Sequence, residues 1–75
     1  MITVKLFGLV RLETGIKELQ IDAANVKELK RELSRHIPEE KIKGCVLLIN
    51  GKQASRFTKV KEGDQVMLMP PVAGG

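Results

Sequence analysis

Asn25-Val26-Lys27-Glu28-Leu29-Lys30-Arg31-Glu32-Leu33-Ser34-Arg35-His36-Ile37-Pro38 is the longest stretch of this chain with a helical period. Val26, Leu29, Leu33 and Ile37 recur at intervals of three and four, which places them on one apolar face. Asn25 stands where an N-cap belongs, and Glu28 follows three residues later, the spacing of a capping box. Pro38 ends the segment, because the residue before a proline is pushed out of the helical region. Lys27, Lys30, Arg31 and Arg35 largely share the outward side.

What flanks this helix has a period of two. Ile2, Val4 and Leu6 alternate with Thr3, Lys5 and Phe7, a half-buried strand. Gly8 and Gly15 bracket a connection expected to make one helical turn, with Leu9 and Leu12 three apart. Leu19 and Ile21 mark a shorter second strand, close enough to the first for an antiparallel hairpin. After the helix, residues 45–49 form a dense aliphatic strand. Asn50-Gly51 is the preferred pair for a two-residue type I′ turn, whose central positions both need positive φ. A short return strand over 52–54 follows. Phe57 and Val60 are expected as core plugs, Lys61-Glu62-Gly63-Asp64 as a turn, and residues 65–69 as the last strand.

The order is ββαβββ, with the final strand free to lie parallel beside the first. That is an α+β fold of the β-grasp type, a mixed sheet of four to five strands packed on one main helix. If Ile2, Val4 and Leu6 meet the helix, Phe7 faces the other way. The same alternation turns Cys45, Leu47, Ile49, Val66 and Leu68 inward. It leaves Phe7, Val46, Leu48, Met67 and Met69 together on the outer face. An open apolar patch on a small domain marks an interaction surface, and methionines adapt to more than one partner.

Composition excludes several function classes. At 75 residues the chain has room for one core and little for a walled cleft of its own. Cys45 and His36 are the sole cysteine and histidine, too few for a disulfide, a structural zinc site or a thiolate-bound cluster. No metal site or bound cofactor is therefore expected. Cys45 reads as a buried packing residue and His36 as a solvated helix-end residue. The opening residues lack a basic n-region, and the longest aliphatic run, residues 45–49, is far below the ~20 residues of a spanning helix. A cytoplasmic protein without a membrane partner is expected. The formal charge of +4 keeps an acidic partner in play, whether nucleic acid, anionic lipid or an acidic protein face, and composition does not choose among them. Two Phe, no Tyr and no Trp leave no stacking platform for single-stranded nucleic acid, so the basic helix face is read as solvated or as a dock for an acidic protein.

The last residues, Pro70-Pro71-Val72-Ala73-Gly74-Gly75, have a distinct character. Two prolines stiffen an extended segment, and the side chains then shrink to Ala and two glycines. A thread of that shape can enter a channel too narrow for any Cβ. Residues 1–69 are thus expected as the domain and residues 70–75 as a flexible tail.

Taken together, these features resemble the ubiquitin-like sulfur carriers of the MoaD/ThiS family, and within it most closely the small subunits of molybdopterin synthase. The resemblance rests on Val4-Lys5-Leu6-Phe7-Gly8-Leu9-Val10-Arg11 with Thr14-Gly15, on Val26-Lys27-Glu28-Leu29 and on Ile49-Asn50-Gly51. It rests above all on Glu62-Gly63-Asp64-Gln65-Val66 followed by the Pro-Pro-Val-Ala-Gly-Gly ending. It departs after Arg11, where the family carries an acidic residue and this chain has Leu12.

The resemblance implies a carrier cycle. An adenylating enzyme of the ubiquitin-activating (MoeB) type would use ATP to convert the Gly75 carboxylate into an acyl-adenylate, and a sulfur-donor enzyme would turn it into a thiocarboxylate. The tail would then enter the large (MoaE-type) subunit of molybdopterin synthase and deliver sulfur for molybdenum cofactor biosynthesis. Gly75 would be the carrier and Gly74 the residue that must be small. Phe7, Leu48, Met67, Met69, Pro70, Pro71, Val72 and Ala73 would contact partners. The chain would be a sulfur-donating subunit with no catalysis of its own. Carriers for thiamine thiazole, cysteine, tungsten cofactor or tRNA thiolation, and ubiquitin-like protein modifiers, share the Gly-Gly end. The Leu6-Phe7-Gly8 and Arg11 signature argues against the thiazole carrier. A basic β-grasp module binding nucleic acid is the reading from a different class.

Overall fold

The computed structural model describes residues 1–71. Five strands and three helices follow in the order β1 (Ile2–Leu6), α1 (Gly8–Thr14), β2 (Glu18–Ile21), α2 (Val26–Leu33), α3 (Glu39–Lys43), β3 (Val46–Ile49), β4 (Lys52–Gln53) and β5 (Gln65–Met69). The strands form one mixed sheet in the order β2-β1-β5-β3-β4. β1 pairs with β2 antiparallel and with β5 parallel, while β3 pairs antiparallel with both β4 and β5. This is the β-grasp expected from the two hairpins and the helix between them.

The inner sheet face and α2 make the core. Val4, Leu6, Val66 and Leu68 are buried against Val26, Leu29, Leu33 and Ile37, as the two periodicities require. The start of α2 is closed at every donor. The N–H groups of Val26 and Lys27 donate to the carbonyls of Thr58 and Arg56 at 2.9 and 3.1 Å. The Glu28 N–H donates to Asn25 Oδ1 at 2.9 Å, and the Leu29 N–H to the Asn25 carbonyl at 2.9 Å. Val26, Lys27 and Glu28, three of the four N–H groups a helix start leaves without internal partners, are thereby satisfied, and the Leu29 bond is the first of the helix's own ladder. Glu28 closes the box one residue early, accepting from the Ala24 N–H at 3.0 Å.

Three expectations change. The helix does not run unbroken to Pro38. α2 ends at Leu33, and the N–H groups of Arg35 and His36 donate three residues back, in the tighter 3₁₀ manner, before Ile37 re-enters the core. Pro38 instead caps α3, a helix with one buried apolar residue, Ile42. α1 makes two turns rather than one and buries Val10, leaving Leu9 and Leu12 exposed. Val60 is buried as expected, but Phe57 is not a core plug: it is 77% exposed. Residues 55–58 fold on themselves through the Thr58 N–H to Ser55 carbonyl bond and are tied to α2 by the Arg56 and Thr58 carbonyls. That turn projects Phe57 outward, with the Arg56 guanidinium 5.4 Å from its ring centre.

Asn50 and Gly51 adopt φ of 53° and 83°, the positive values their turn requires. Asn50 does more than turn the chain. Its Oδ1 accepts from the Gln65 N–H at 3.0 Å and its Nδ2 donates to Asp64 Oδ1 at 3.1 Å, which ties the β3–β4 turn to the start of β5. Asp64 Oδ2 accepts from the Lys61 N–H at 2.9 Å. These bonds, first the one from Lys61 and then that from Asn50, hold the Asp64 carboxyl below the usual carboxylate range.

Two outcomes follow for stability. Leu29→Ala, which opens a cavity at a fully buried site, lowers the unfolding free energy by about 2–5 kcal/mol in denaturant titrations. A group with a depressed folded pKa stabilises above its unfolded value, about 3.9 for Asp, and loses that contribution as pH falls through the folded one. Asp64→Ala therefore lowers the melting temperature at neutral pH, and its difference from wild type shrinks on acidification below about pH 3.9. A difference that is constant with pH would refute the assignment.

Candidate functional site

Strand pleating and register assemble the site on the outer sheet face. Lys5 lies opposite Met67, Met67 opposite Leu48, and Val46 opposite Met69. Phe7 continues β1 alongside β5, its N–H donating to the Leu68 carbonyl at 2.9 Å. Phe7, Val46, Leu48, Met67 and Met69 therefore share the face turned away from α2, and all five are half-buried. The face is graded. It is apolar where β5 ends, and polar where β5 begins, at Thr3, Gln65 and Asn50. Met1, Thr3, Lys5, Phe7, Asp64 and Met67 help line a hollow of about 420 Å³ there.

The chain leaves this apolar end through a close contact. Gly8 has φ of +67°, and a methyl group on it would lie 2.7 Å from both Cγ and Cδ of Pro70. Only a residue without Cβ allows both the left-handed backbone and the proline ring against it. Pro70 thus lies against the turn that joins β1 to α1 while remaining exposed to solvent on its other side, and Pro71 is exposed as well. Val72, Ala73, Gly74 and Gly75, for which tail and carrier roles are expected, lie outside the described residues.

Of the residues singled out from sequence, Phe7, Leu48, Met67 and Met69 come together, and Pro70 stands at their edge. Sequence reading missed the Gly8–Pro70 contact and the exposure of Leu9 and Leu12 on α1, which begins at Gly8. An i, i+3 leucine pair ordinarily signals a buried face, and Val10 takes that place here. Cys45 is half-buried against the core, and burial, with a smaller effect from Glu13, pushes its thiol pKa up, the opposite of an activated nucleophile. His36 is exposed. Among the described residues no three His, Cys, Asp or Glu side chains cluster as a metal site, and no helix is long and apolar enough to cross a membrane.

A mixed five-stranded sheet grasping one main helix, with an apolar outer face at the strand end from which the chain departs, defines the class of ubiquitin-like β-grasp proteins. The chain belongs to the ThiS family, whose model matches residues 4–75. Among solved structures it is similar to a chain of the complex of subunits 1 and 2 of the molybdopterin-converting factor from Helicobacter pylori. The identity is 28%, over 99% of this chain and 97% of that one, with a TM-score of 0.72. It is also similar to the small archaeal modifier protein 1 from Methanosarcina acetivorans, at 26% identity over 99% and 95% of the two chains and a TM-score of 0.80. A chain of the Amycolatopsis orientalis BexX/CysO complex shares the fold at 22% identity, over 100% of both chains, with a TM-score of 0.77. Comparison with curated protein sequences finds no match.

The Gly8–Pro70 contact makes a quantitative prediction. Gly8→Ala costs the left-handed penalty of about 1–2 kcal/mol plus the clash with the proline ring. In a Pro70→Ala background the clash is gone and the first cost alone remains. A double-mutant cycle in denaturant reads the difference as a coupling energy; a coupling of zero would show that the contact constrains nothing.

Proposed function

We propose that this chain is a sulfur carrier that bears a thiocarboxylate on Gly75 and serves as the small, sulfur-donating subunit of a molybdopterin synthase. What carries the reading is the family match, which runs through Pro70-Pro71-Val72-Ala73-Gly74-Gly75 to the last residue, on a fold whose apolar outer face adjoins the tail. The 28% identity to a chain of the two-subunit converting factor points to this branch of the family.

The chemistry divides between the chain and its partners. A carboxylate is a poor electrophile, so an adenylating enzyme of the ubiquitin-activating type joins the Gly75 carboxylate to the AMP portion of ATP, releasing pyrophosphate. A hydrosulfide equivalent from a sulfur-donor enzyme attacks the acyl carbon. The C–S bond forms, the bond to AMP breaks, and the thiocarboxylate remains. ATP belongs to the partner, and this chain holds no cofactor of its own. Phe7, Leu48, Met67 and Met69 dock the large subunit, with Phe7 as the aromatic anchor such interfaces favour. Pro70 and Pro71 direct the tail, and the small side chains of Val72, Ala73 and Gly74 let it pass into the partner's site. The raised thiol pKa of Cys45 accords with sulfur riding on the terminus instead.

Intact mass spectrometry of the protein from its native host should find a species heavier by the difference between one sulfur and one oxygen. Ladders of lysine conjugates would instead make it a protein modifier. Deleting Gly74 and Gly75 should abolish sulfur transfer and leave the fold intact, whereas Cys45→Ser should leave transfer unimpaired. Phe7→Ala should weaken affinity for the large subunit by about tenfold or more. Unimpaired pathway activity after the deletion would sink the proposal.

A further inference from the structure

A second surface lies on the opposite side of the molecule. Lys27, Lys30 and Arg31 of α2, Lys43 of α3 and Arg56 line a groove of about 570 Å³ between the two helices. A single carboxylate shares it, Glu39, whose Oε1 is 3.7 Å from Lys43 Nζ. Five cations against one carboxylate is a surplus as large as the formal charge of the whole chain. Among the described residues no salt bridge reaches Lys27, Lys30, Arg31 or Arg56. By contrast Arg35 pairs with Glu32, and Lys41 with Glu13. The groove is also apolar in part. Ile42 lines it, and the exposed Phe57 stacks with Arg56, one of the lining residues, whose guanidinium lies 5.4 Å from its ring centre.

We propose that this groove docks an acidic segment of a second protein that also carries an apolar side chain. The carboxylates would meet the four unpaired cations, and the apolar side chain would pack on Phe57. The shape and chemistry of the groove select this occupant. A bilayer surface is flat, and these cations line a trough. Nucleic acid would find phosphate contacts but one aromatic ring, already covered on one side by the Arg56 guanidinium. A mixed acidic and apolar segment uses every part of the site, and the charge complementarity would steer its approach.

The location has a further consequence. α2 buries Val26, Leu29 and Leu33 toward the sheet, so the groove opens away from Phe7, Met67 and Met69. A partner held there leaves the outer sheet face free, and two partners can be engaged at once. This holds whatever chemistry occurs at Gly75.

The test is a titration of the ¹⁵N-labelled full chain with a short peptide of alternating Glu and Leu at low salt. Saturable shifts should centre on residues 27–34, 42–43 and 56–57, and affinity should fall as salt rises. The double charge reversal Lys30→Glu and Arg31→Glu should weaken binding by about tenfold or more. Phe57→Ala, at an exposed position, should weaken it while the melting temperature is retained. Removing Gly74 and Gly75 should change nothing, which separates this outcome from the fate of the carrier proposal. Absence of saturable binding, shifts centred on Phe7 and Met67, an undiminished affinity in the charge-reversed variant, or tighter binding of oligo-uridine at the same residues would each overturn it.

Discussion

The parallel pairing of β1 with β5 joins the two ends of the chain at the centre of the sheet. Each flanking hairpin could form locally, but neither alone could cover α2. When the first and last strands pair, Val4 and Leu6 come beside Val66 and Leu68, and the helix gains a continuous apolar surface. The same register fixes the other face. It sets Phe7 alongside the end of β5 and brings the exit of the chain to the β1–α1 turn, where Gly8 receives Pro70. Core, apolar outer face and direction of departure thus share one set of backbone hydrogen bonds.

A second non-local constraint acts on the opposite side. The carbonyls of Arg56 and Thr58 take the first two N–H groups of α2, and in return the helix holds residues 55–60 in place. The positive end of the helix is therefore occupied by backbone, and any anion the groove attracts must answer to side chains. This arrangement also carries Arg56 to the rim of a groove whose other walls lie far from it in sequence.

The parts of the fold visible in sequence were those governed by short-range periodicity. Alternation along β1, β3 and β5 assigns Phe7, Leu48, Met67 and Met69 to one face, and the three-four spacing of Val26, Leu29, Leu33 and Ile37 assigns the buried stripe of the helix. Asn50-Gly51 names its own turn because few other pairs accept its backbone. The parts that were not visible depend on partners distant in the chain. α3 has one apolar residue and so no period to read. Phe57 looks like core material, and it faces solvent because of carbonyl bonds made by its neighbours. The contact of Gly8 with Pro70 spans nearly the whole chain. Lys27, Lys30 and Arg31 share a helix face in any reading, but only the docking of α3 and the 55–60 turn makes that face the wall of a groove.

The two-residue length of β4 bears on how such a domain behaves at high concentration. β2 and β4 are the edges of the sheet, and an edge strand with free backbone groups can recruit the edge of another copy. β4 offers two residues of ladder, with Lys52 bearing a charge, before the chain turns away. β2 offers four, with Glu18 at its start. Neither edge can seed a long intermolecular sheet. A domain with methionines half-buried on its outer sheet face is in this way protected from adding strands to itself.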